Sequence, residues 1–183
     1  MDRSSDVLPD EEHARIFRDP VVPAHNLDLA ASQQRPAAVI LGGQPGSGKV
    51  GLARTAQLEF GSDVITVDPD ELRRFHPGVS DFRRENPYTW SGRAHADAGA
   101  WSAELLEATV SERKNQIFDT TLSNGKWASE SLIKDLQSKG YQVEVRVVAT
   151  PGPLLNRLAE TLSRSIIKFG GRLHVRAVQM GLC

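Results

Sequence analysis

The sequence predicts an α/β fold in which a parallel sheet carries helices on both faces. Apolar runs typical of buried strands alternate along the chain with longer amphipathic segments. The first of these runs, Ala37–Gly42, follows Pro36 and leads directly into a glycine-rich loop and a helix-like segment. Alternation of this kind favours parallel strands that are joined by crossover helices.

Residues 1–35 are predicted to form a helical extension at the N-terminus. Acidic residues at 10–12 begin a short amphipathic helix, since the positive end of the helix dipole favours them there. The Asp19-Pro20 pair is expected to end this helix soon after Phe17. A second short helix is expected over 25–34, and residues 1–9 are expected to be disordered.

The middle of the chain continues the alternation of strands and helices. Apolar residues after Lys49 favour a helix, and the run Val64–Val67 favours a second strand. Residues 76–92 combine proline, glycine and charge, so they are expected to form a mobile loop. A long helix is expected at roughly 94–114, because its apolar residues recur at steps of three and four.

The C-terminal part supplies the remaining predicted elements. They are a strand at 116–119, a helix at 126–139 capped by Gly140, a strand at 143–149 and a final helix from Pro151 to about Phe169. In the strand at 143–149, Glu144 and Arg146 share one face, so that face is expected to be partly exposed.

Composition places the chain among ordinary globular proteins. Its 183 residues suffice for one well-buried domain, with 39% hydrophobic and 25% charged residues. A net charge of −1 gives no electrostatic reason to expect nucleic acid or an anionic membrane as partner. The single cysteine, Cys183, excludes an internal disulfide, and no apolar run approaches the ~20 residues of a membrane span. We therefore expect a cytoplasmic protein.

The loop Gly43–Lys49 has the form of a P-loop, because it lies between a predicted strand and a helix and ends in Gly-Lys. Its glycines let backbone N–H groups point at phosphate oxygens, and the following helix adds its dipole. Lys49 is expected to reach the β- and γ-phosphates of ATP, whereas Val50 lacks the hydroxyl that would bind Mg²⁺. The predicted nucleotide-binding residues are Gly43, Gln44, Pro45, Gly46, Ser47, Gly48, Lys49 and Val50.

Acidic residues follow two further predicted strands, in the segments Asp68-Pro69-Asp70 and Asp119-Thr120-Thr121. Ligands of parallel α/β sheets bind beyond the carboxyl ends of the strands, so both segments are expected to share one crevice with the P-loop. The sequence thus predicts the P-loop NTPase type of α/β fold. An aspartate at such a strand end can accept the proton of an acceptor hydroxyl during phosphoryl transfer. Asp68 or Asp70 can alternatively serve only as the N-cap of the next helix.

Several segments together resemble the zeta toxin family, over about residues 37–153. They are Leu41–Lys49, Val67–Arg73, His76-Pro77, Ile117–Thr121 and Gly140–Pro151. The resemblance implies a P-loop kinase of bacterial toxin–antitoxin systems that uses ATP and Mg²⁺ to phosphorylate UDP-N-acetylglucosamine at the 3′-hydroxyl of the sugar. It also implies an antitoxin protein as partner, which covers the ATP site with a helix.

The resemblance further implies roles for individual residues on the acceptor side. Asp70, the second acid of its segment, would deprotonate the sugar hydroxyl. Asp119 and Thr121 would contact the sugar nucleotide. Glu104 would do the same from the long helix, although strict spacing points to Ala103 instead.

On the nucleotide side, the resemblance implies that Lys49 binds the phosphates and that two arginines clamp the transferring phosphoryl group. Arg164 and Arg172 are the candidates, and Arg157 competes for the first position. Such cationic groups contribute ~10³–10⁵ to the rates of phosphoryl transfer enzymes. All three arginines are also compatible with a role as solvated helix charges.

Other residues have simpler expected roles. His76 matches a family position, but a solvated loop histidine is the expected state. The three tryptophans are expected to serve in packing; they are Trp90, Trp101 and Trp127.

The tail at 173–180 resembles an interrupted version of the family's pattern. Residues 36–183 are therefore expected to be a kinase domain that is truncated at its C-terminus, lacks the final strand and is less stable than full-length relatives. Val50, the doubtful arginines and this tail support an alternative, a catalytically impaired nucleotide-binding remnant or interaction protein. A third hypothesis is a P-loop kinase for another small hydroxylated substrate, chosen in part by the loop at 76–92.

Overall fold

One sheet of five parallel strands confirms the predicted α/β class. The computed structural model describes residues 6–43, 47–61, 63–120, 128–148 and 173–178. Its strands are β1 (Ala37–Gly42), β2 (Ile65–Val67), β3 (Gln116–Thr120), β4 (Gln142–Val148) and β5 (Leu173–Val178). They lie in the order β2-β3-β1-β4-β5, so β1 is central and the loop after it emerges in the middle of the sheet.

Helices pack on both faces of this sheet, as the sequence predicts. They are α1 (Asp10–Ile16), α2 (Val22–Ala24), α3 (Lys49–Glu59), α4 (Pro69–Leu72), α5 (Val79–Glu85), α6 (His95–Ser111) and α7 (Lys134–Ser138). Helix α3 covers one face, where Leu52 and Ala56 pack in the same core as Val39 and Ile117. Helix α6 covers the other face, and its Trp101 is fully buried there, which confirms a packing role.

The N-terminal segment is more continuous than predicted. Helix α1 does not end at Asp19-Pro20 but passes through a π-helical turn, Phe17–Val21, into α2. A π turn leaves room for the proline ring and its missing N–H, and the N–H of Val22 still reaches the carbonyl of Phe17. The helix expected at 25–34 is replaced by turns.

This N-terminal segment contributes to the main core of the sheet. Ile16 and Val21 are buried in the same cluster as Trp101 of α6 and Ile65 of β2. Burying each such side chain contributes about 1.5–3 kcal/mol. The expectation of disorder over 1–9 is wrong for residues 6–9, because Arg93 donates hydrogen bonds to both carboxylate oxygens of Asp6, at 2.9 and 2.7 Å.

The segment 76–92, predicted to be a mobile loop, contains helix α5 and a 3₁₀ turn, Trp90–Gly92. Val79 and Phe82 form a small apolar cluster with Ala94 at the start of the next helix. The guanidinium of Arg93 lies 3.9 Å from the centre of the Phe82 ring, a cation–π contact that covers the cluster. The proline and glycine content of the segment does not indicate this small cluster.

Strand β4 is more buried than its charge pattern predicts. Arg146 is only 4% exposed, because its guanidinium is paired with Glu59 at the end of α3 and with Glu144 on its own strand. The expectation of a partly exposed face is therefore wrong at Arg146. Two carboxylates compensate the buried cation, which would otherwise be costly to remove from water.

Beyond β4, the tail expected to be an interrupted remnant forms a regular strand. Residues 173–178 pair in parallel with 143–148 of β4. Before β4, residues 128–138 are helical, as predicted, although the first half is a π-helical segment, Ala128–Ile133. The final helix predicted over 151–169 lies outside the described residues. Across the described ranges, no helix is long and apolar enough to cross a membrane.

Candidate functional site

The register of the sheet brings three predicted site segments to one edge. Leu41, two residues before the glycine-rich loop begins, pairs with Asp119 of β3. Val67 at the end of β2 pairs with Phe118, so Asp68 leaves the sheet beside Asp119. Since all three strands run in the same direction, their carboxyl ends form one crevice.

A close ion pair joins the glycine-rich loop to strand β3. Nζ of Lys49 lies 2.6 Å from Oδ1 of Asp119, and both side chains are largely buried. The same Nζ donates a hydrogen bond to the carbonyl of Thr120 at 3.3 Å. Lys49 is thus held by the end of β3 at the mouth of the loop, where it can exchange its carboxylate partner for phosphate oxygens.

The surroundings of Asp119 raise its pKa above the ordinary value of an aspartate. Burial is the largest influence and raises the pKa of Asp119 above its ordinary value, while the hydrogen bond and charge of Lys49 oppose this rise. The carboxylates of Asp68 and Asp70 act in the same direction as burial. Both Asp68 and Asp70 therefore act electrostatically on Asp119.

Two glycines shape the loop around its polar atoms. Gly48 adopts φ +89°, the left-handed conformation that glycine accepts without strain, at the residue before α3 begins. At Gly43, an added Cβ would lie 2.7 Å from Oγ of Ser47, so a larger residue would displace this hydroxyl. Oγ of Ser47 is buried without a hydrogen-bond partner among the described residues, which suits a group that awaits an anionic ligand.

Val50 occupies the second residue of α3 and points to solvent, with 82% of its surface exposed. No packing constraint therefore explains a valine at this position. An exposed β-branched side chain in the first turn contributes little to the core, so a hydroxyl-bearing residue would fit equally well.

Asp68 is the N-cap of α4. Its Oδ1 accepts hydrogen bonds from the backbone N–H groups of Asp70 at 2.8 Å and Glu71 at 3.4 Å. The capping interpretation is thus confirmed for Asp68, while the carboxylate of Asp70 remains available for other contacts.

Replacing Asp68 by alanine is expected to lower the free energy of unfolding by about 1 kcal/mol, because two helix N–H groups lose their acceptor. Urea unfolding followed by circular dichroism measures this change. Asp68→Asn keeps a capping oxygen and serves as the control, with a loss of only a few tenths of a kcal/mol. Equal losses in the two variants would contradict the capping role.

Asp70 presents its carboxylate at the surface of the crevice, with 69% of the side chain exposed. One oxygen, Oδ1, lies 2.8 Å from Nη2 of Arg73, one helical turn further along. Arg73 was not among the predicted site residues, although its position three residues after the acid is a signal that sequence alone offers.

Glu104 contacts the N-terminal segment of the chain. It lies on α6, nine residues after the helix begins. Its Oε1 lies 2.9 Å from Nε2 of His13 on α1, whose Nδ1 in turn lies 2.9 Å from Oδ1 of the buried Asp97. The structure therefore brings Lys49, Asp119 and Asp70 together and sets Glu104 against the N-terminal segment.

His76 is buried, so the expectation of a solvated loop histidine is wrong. Its Nδ1 accepts a hydrogen bond from the backbone N–H of Gly78 at 3.1 Å. Nε2 therefore carries the hydrogen and donates it to the carbonyl of Asp6 at 3.1 Å. His76 fastens the N-terminal segment to the turn before α5.

Several predicted site residues lie outside the described part of the chain. They are Gln44, Pro45, Gly46, Thr121, Arg164 and Arg172, together with the competing Arg157 and with Trp127. Their assignments stay predictions. Within the described ranges, no group of three or more His, Cys, Asp or Glu side chains is arranged to hold a metal ion.

A parallel sheet with a lysine-bearing glycine loop at its centre, and with carboxylates at the ends of the next two strands, has the arrangement of an α/β protein that binds its ligand beyond the carboxyl ends of the strands. The family described as zeta toxin matches residues 24–161, which is more than half of the chain. The chain belongs to the zeta toxin family.

Individual relatives support the same assignment at low identity. Toxin PezT of Streptococcus pneumoniae serotype 4 (strain ATCC BAA-334 / TIGR4) is 29% identical over 119 residues, which cover 65% of this chain and 47% of that protein. Toxin zeta of Streptococcus pyogenes is 27% identical over 121 residues, covering 64% of this chain and 41% of that protein. The match thus spans less than half the length of each relative.

A solved structure extends the similarity of the fold over nearly the whole chain. A chain from the PezAT chromosomal toxin–antitoxin system of Streptococcus pneumoniae superimposes with a TM-score of 0.78 at 22% identity. The alignment covers 98% of this chain and 80% of that one. At this level of identity, the likeness establishes the fold.

Proposed function

We propose that this protein is an ATP-dependent phosphotransferase that phosphorylates UDP-N-acetylglucosamine at the 3′-hydroxyl of the sugar. The observation that carries the proposal is the pairing of Lys49 with Asp119 at 2.6 Å, with Asp70 at the neighbouring strand end. Membership of the zeta toxin family supports it independently. The remaining steps assign a role to each group.

On the nucleotide side, Lys49 binds the β- and γ-phosphate oxygens of ATP in place of its present partner Asp119. The unpartnered hydroxyl of Ser47 is a further donor for a phosphate oxygen. Mg²⁺ usually keeps several waters and is bound largely through the phosphates of its nucleotide, so the proposal needs no cluster of acidic side chains at this site. Mg²⁺ would neutralise charge on the transferring group.

On the acceptor side, Asp70 accepts the proton of the sugar hydroxyl. As it does so, the hydroxyl oxygen forms a bond to the γ-phosphorus, and the bond from that phosphorus to the bridging oxygen breaks. The electron pair of the broken bond leaves with ADP. Asp70 suits this task because its carboxylate is exposed and, among the described residues, only its Oδ1 is held by a partner, Arg73.

The identity of the acceptor rests on the family more than on the geometry. Asp119 and Thr121, at the end of β3, are proposed to contact the sugar nucleotide. Arg164 and Arg172 are proposed to clamp the phosphoryl group. Glu104 is the weakest of these assignments, since His13 occupies its carboxylate.

Turnover by the purified protein tests the proposal. ATP, Mg²⁺ and UDP-N-acetylglucosamine are expected to give ADP and a sugar nucleotide with a new phosphate monoester, which ³¹P NMR places at the 3′ position. Absence of any product would refute the kinase proposal. If product forms only with other hydroxylated acceptors, offered one by one, the proposed acceptor is wrong and the proposed phosphoryl transfer stands.

The exposed Val50 makes a second candidate worth testing, a protein that binds nucleotide without efficient catalysis. Val50→Thr is expected to raise turnover at limiting Mg²⁺ by about 10-fold or more, because one hydrogen bond or ligand to a charged group contributes about 1.5–3 kcal/mol. Turnover measured across a Mg²⁺ titration gives both the rate and the half-saturating concentration.

Val50→Ala is the matched control, since it shortens the same exposed side chain without adding a hydroxyl. It is expected to leave the Mg²⁺ dependence unchanged. If the wild-type protein shows no turnover and only Val50→Thr does, the natural protein is a catalytically impaired nucleotide-binding protein. Equal behaviour of Val50→Thr and Val50→Ala would show that position 50 does not contribute to metal binding.

We further propose an antitoxin as the protein partner, because the structural neighbour comes from a toxin–antitoxin system. The carboxyl ends of the strands, near Lys49 and Asp70, are the surface that such a partner would need to cover. Co-purification with the product of the adjacent gene, and loss of that complex on addition of ATP, would support this assignment.

A further inference from the structure

Arg73 differs from an ordinary surface arginine in how its guanidinium is placed. Its side chain is only 19% exposed, and Nη2 lies 2.8 Å from Oδ1 of Asp70. The same Nη2 lies 3.5 Å from Nδ1 of His95, the first residue of α6. Nε of Arg73 is buried and has no hydrogen-bond partner among the described residues. The arginine is thus wedged between α4 and the start of α6.

A neighbouring ion pair has the same spacing of three residues, but its arginine is not held between two helices. Arg74 contacts Glu71 at 2.6 Å, also three residues apart, but both side chains are half exposed. Solvated pairs of this kind contribute about 0.2–0.5 kcal/mol and hold neither partner firmly. In contrast, the pair of Asp70 and Arg73 joins an exposed carboxylate to an arginine whose side chain is only 19% exposed.

This asymmetry does not serve stability well. Burying a guanidinium while one N–H stays unpaired is unfavourable, and the gain from one exposed carboxylate is small. The arrangement does, however, direct the Asp70 side chain, because Nη2 of this largely buried arginine holds Oδ1 at 2.8 Å.

We propose that Arg73 is a positioning residue for Asp70: it holds Oδ1 of that carboxylate, so that Oδ2 faces the acceptor hydroxyl. The inference rests on the proposed role of Asp70 as proton acceptor. Arg73 itself touches neither the acceptor nor the phosphates. The proton of the hydroxyl passes to Oδ2, while Oδ1 stays on the guanidinium throughout the step.

Kinetics of Arg73→Gln test this role. We expect kcat to fall about 10–100-fold, because small misplacements of a reacting group cost rates of that order. The KM values for ATP and for the acceptor are expected to stay within about threefold, since Arg73 binds neither. Arg73→Lys restores a cation and is expected to recover most of the loss. A large rise in the acceptor KM would instead make Arg73 a substrate-binding residue and overturn the proposal.

Two comparisons separate positioning from a general structural effect. Arg74→Gln removes the neighbouring solvated pair and is expected to leave kcat unchanged. In an Asp70→Asn background, Arg73→Gln is expected to have little further effect on kcat, because it acts through Asp70. Losses that multiply in the double variant would overturn the proposal.

A structural readout works even if the enzyme shows no turnover. Crystal structures of the wild type and of Arg73→Gln are expected to show the Asp70 carboxylate in one conformer with Arg73 and in several without it. If the wild-type protein is inactive but the Asp70 conformers differ in this way, the proposed function is refuted while Arg73 still positions Asp70. An unchanged Asp70 conformer in Arg73→Gln would overturn the positioning role, whatever the activity.

Discussion

Replacing Asp70 by asparagine is expected to lower the rate of phosphoryl transfer by about 10²–10⁴-fold, the contribution typical of a general base. The amide keeps the size of the side chain but cannot accept the proton of the acceptor hydroxyl. Because 69% of the Asp70 side chain is exposed, the change is expected to leave folding intact. Single-turnover measurements of product formation give the rate of the chemical step.

A matched control for this change is Asp81→Asn. Asp81 is also exposed and also paired with an arginine three residues away, Arg84, at 2.7 Å. It lies on α5, away from the strand ends, so its replacement is expected to leave turnover unchanged. If Asp70→Asn turns over as fast as Asp81→Asn, Asp70 does not act as the base.

Replacing Lys49 by methionine is expected to lower turnover by about 10³-fold, since preorganised cations at a transferring phosphoryl group contribute effects of this order. The change also removes the partner of Asp119, which burial already disfavours as an anion. Because Lys49 is proposed to bind the phosphates, ATP binding is expected to weaken together with kcat. Isothermal titration with ATP and steady-state kinetics measure the two effects separately.

The control for Lys49 is Lys139→Met. Lys139 forms a comparable ion pair with Asp135 at 2.8 Å, but both side chains are exposed on the surface of α7 and its C-terminal end. Its removal is expected to change neither ATP affinity nor turnover. Preserved ATP binding in Lys49→Met would show that the loop does not bind phosphates through this lysine.

The centre of the fold could be predicted because local signals and global packing agree there. The run Ala37–Gly42 is apolar on both faces, as a central parallel strand requires, and Asp119 follows the apolar pair Ile117-Phe118. Parallel strands place their carboxyl ends together, so the expectation that the glycine-rich loop and Asp119 share one crevice needs only the alternation of strands and helices. The ion pair of Lys49 and Asp119, at 2.6 Å, depends in addition on the register of β1 and β3.

The errors arose where a distant partner overrides a local signal. Proline at position 20 predicts the end of a helix, but a π turn accommodates it while Ile16 and Val21 reach the core. His76 looks like a loop residue until its contact with Asp6, 70 positions away, is known. Arg73 was not predicted as a site residue for the same reason, since its placement depends on its contact with His95 of α6. Such long-range contacts have no signature in a window of neighbouring residues.

The strand order also constrains how the chain can fold during synthesis. Central strand β1 pairs with strands that lie far from it in sequence, since Ala38 is the register partner of Gln116 in β3, 78 residues later. At ribosomal speeds of about 5–20 residues per second, β1 waits roughly 4–16 s before β3 has been made. During this interval an apolar strand has two open edges, which exposes the nascent chain to aggregation. We therefore expect the yield of native protein to depend on chaperones that shield nascent chains.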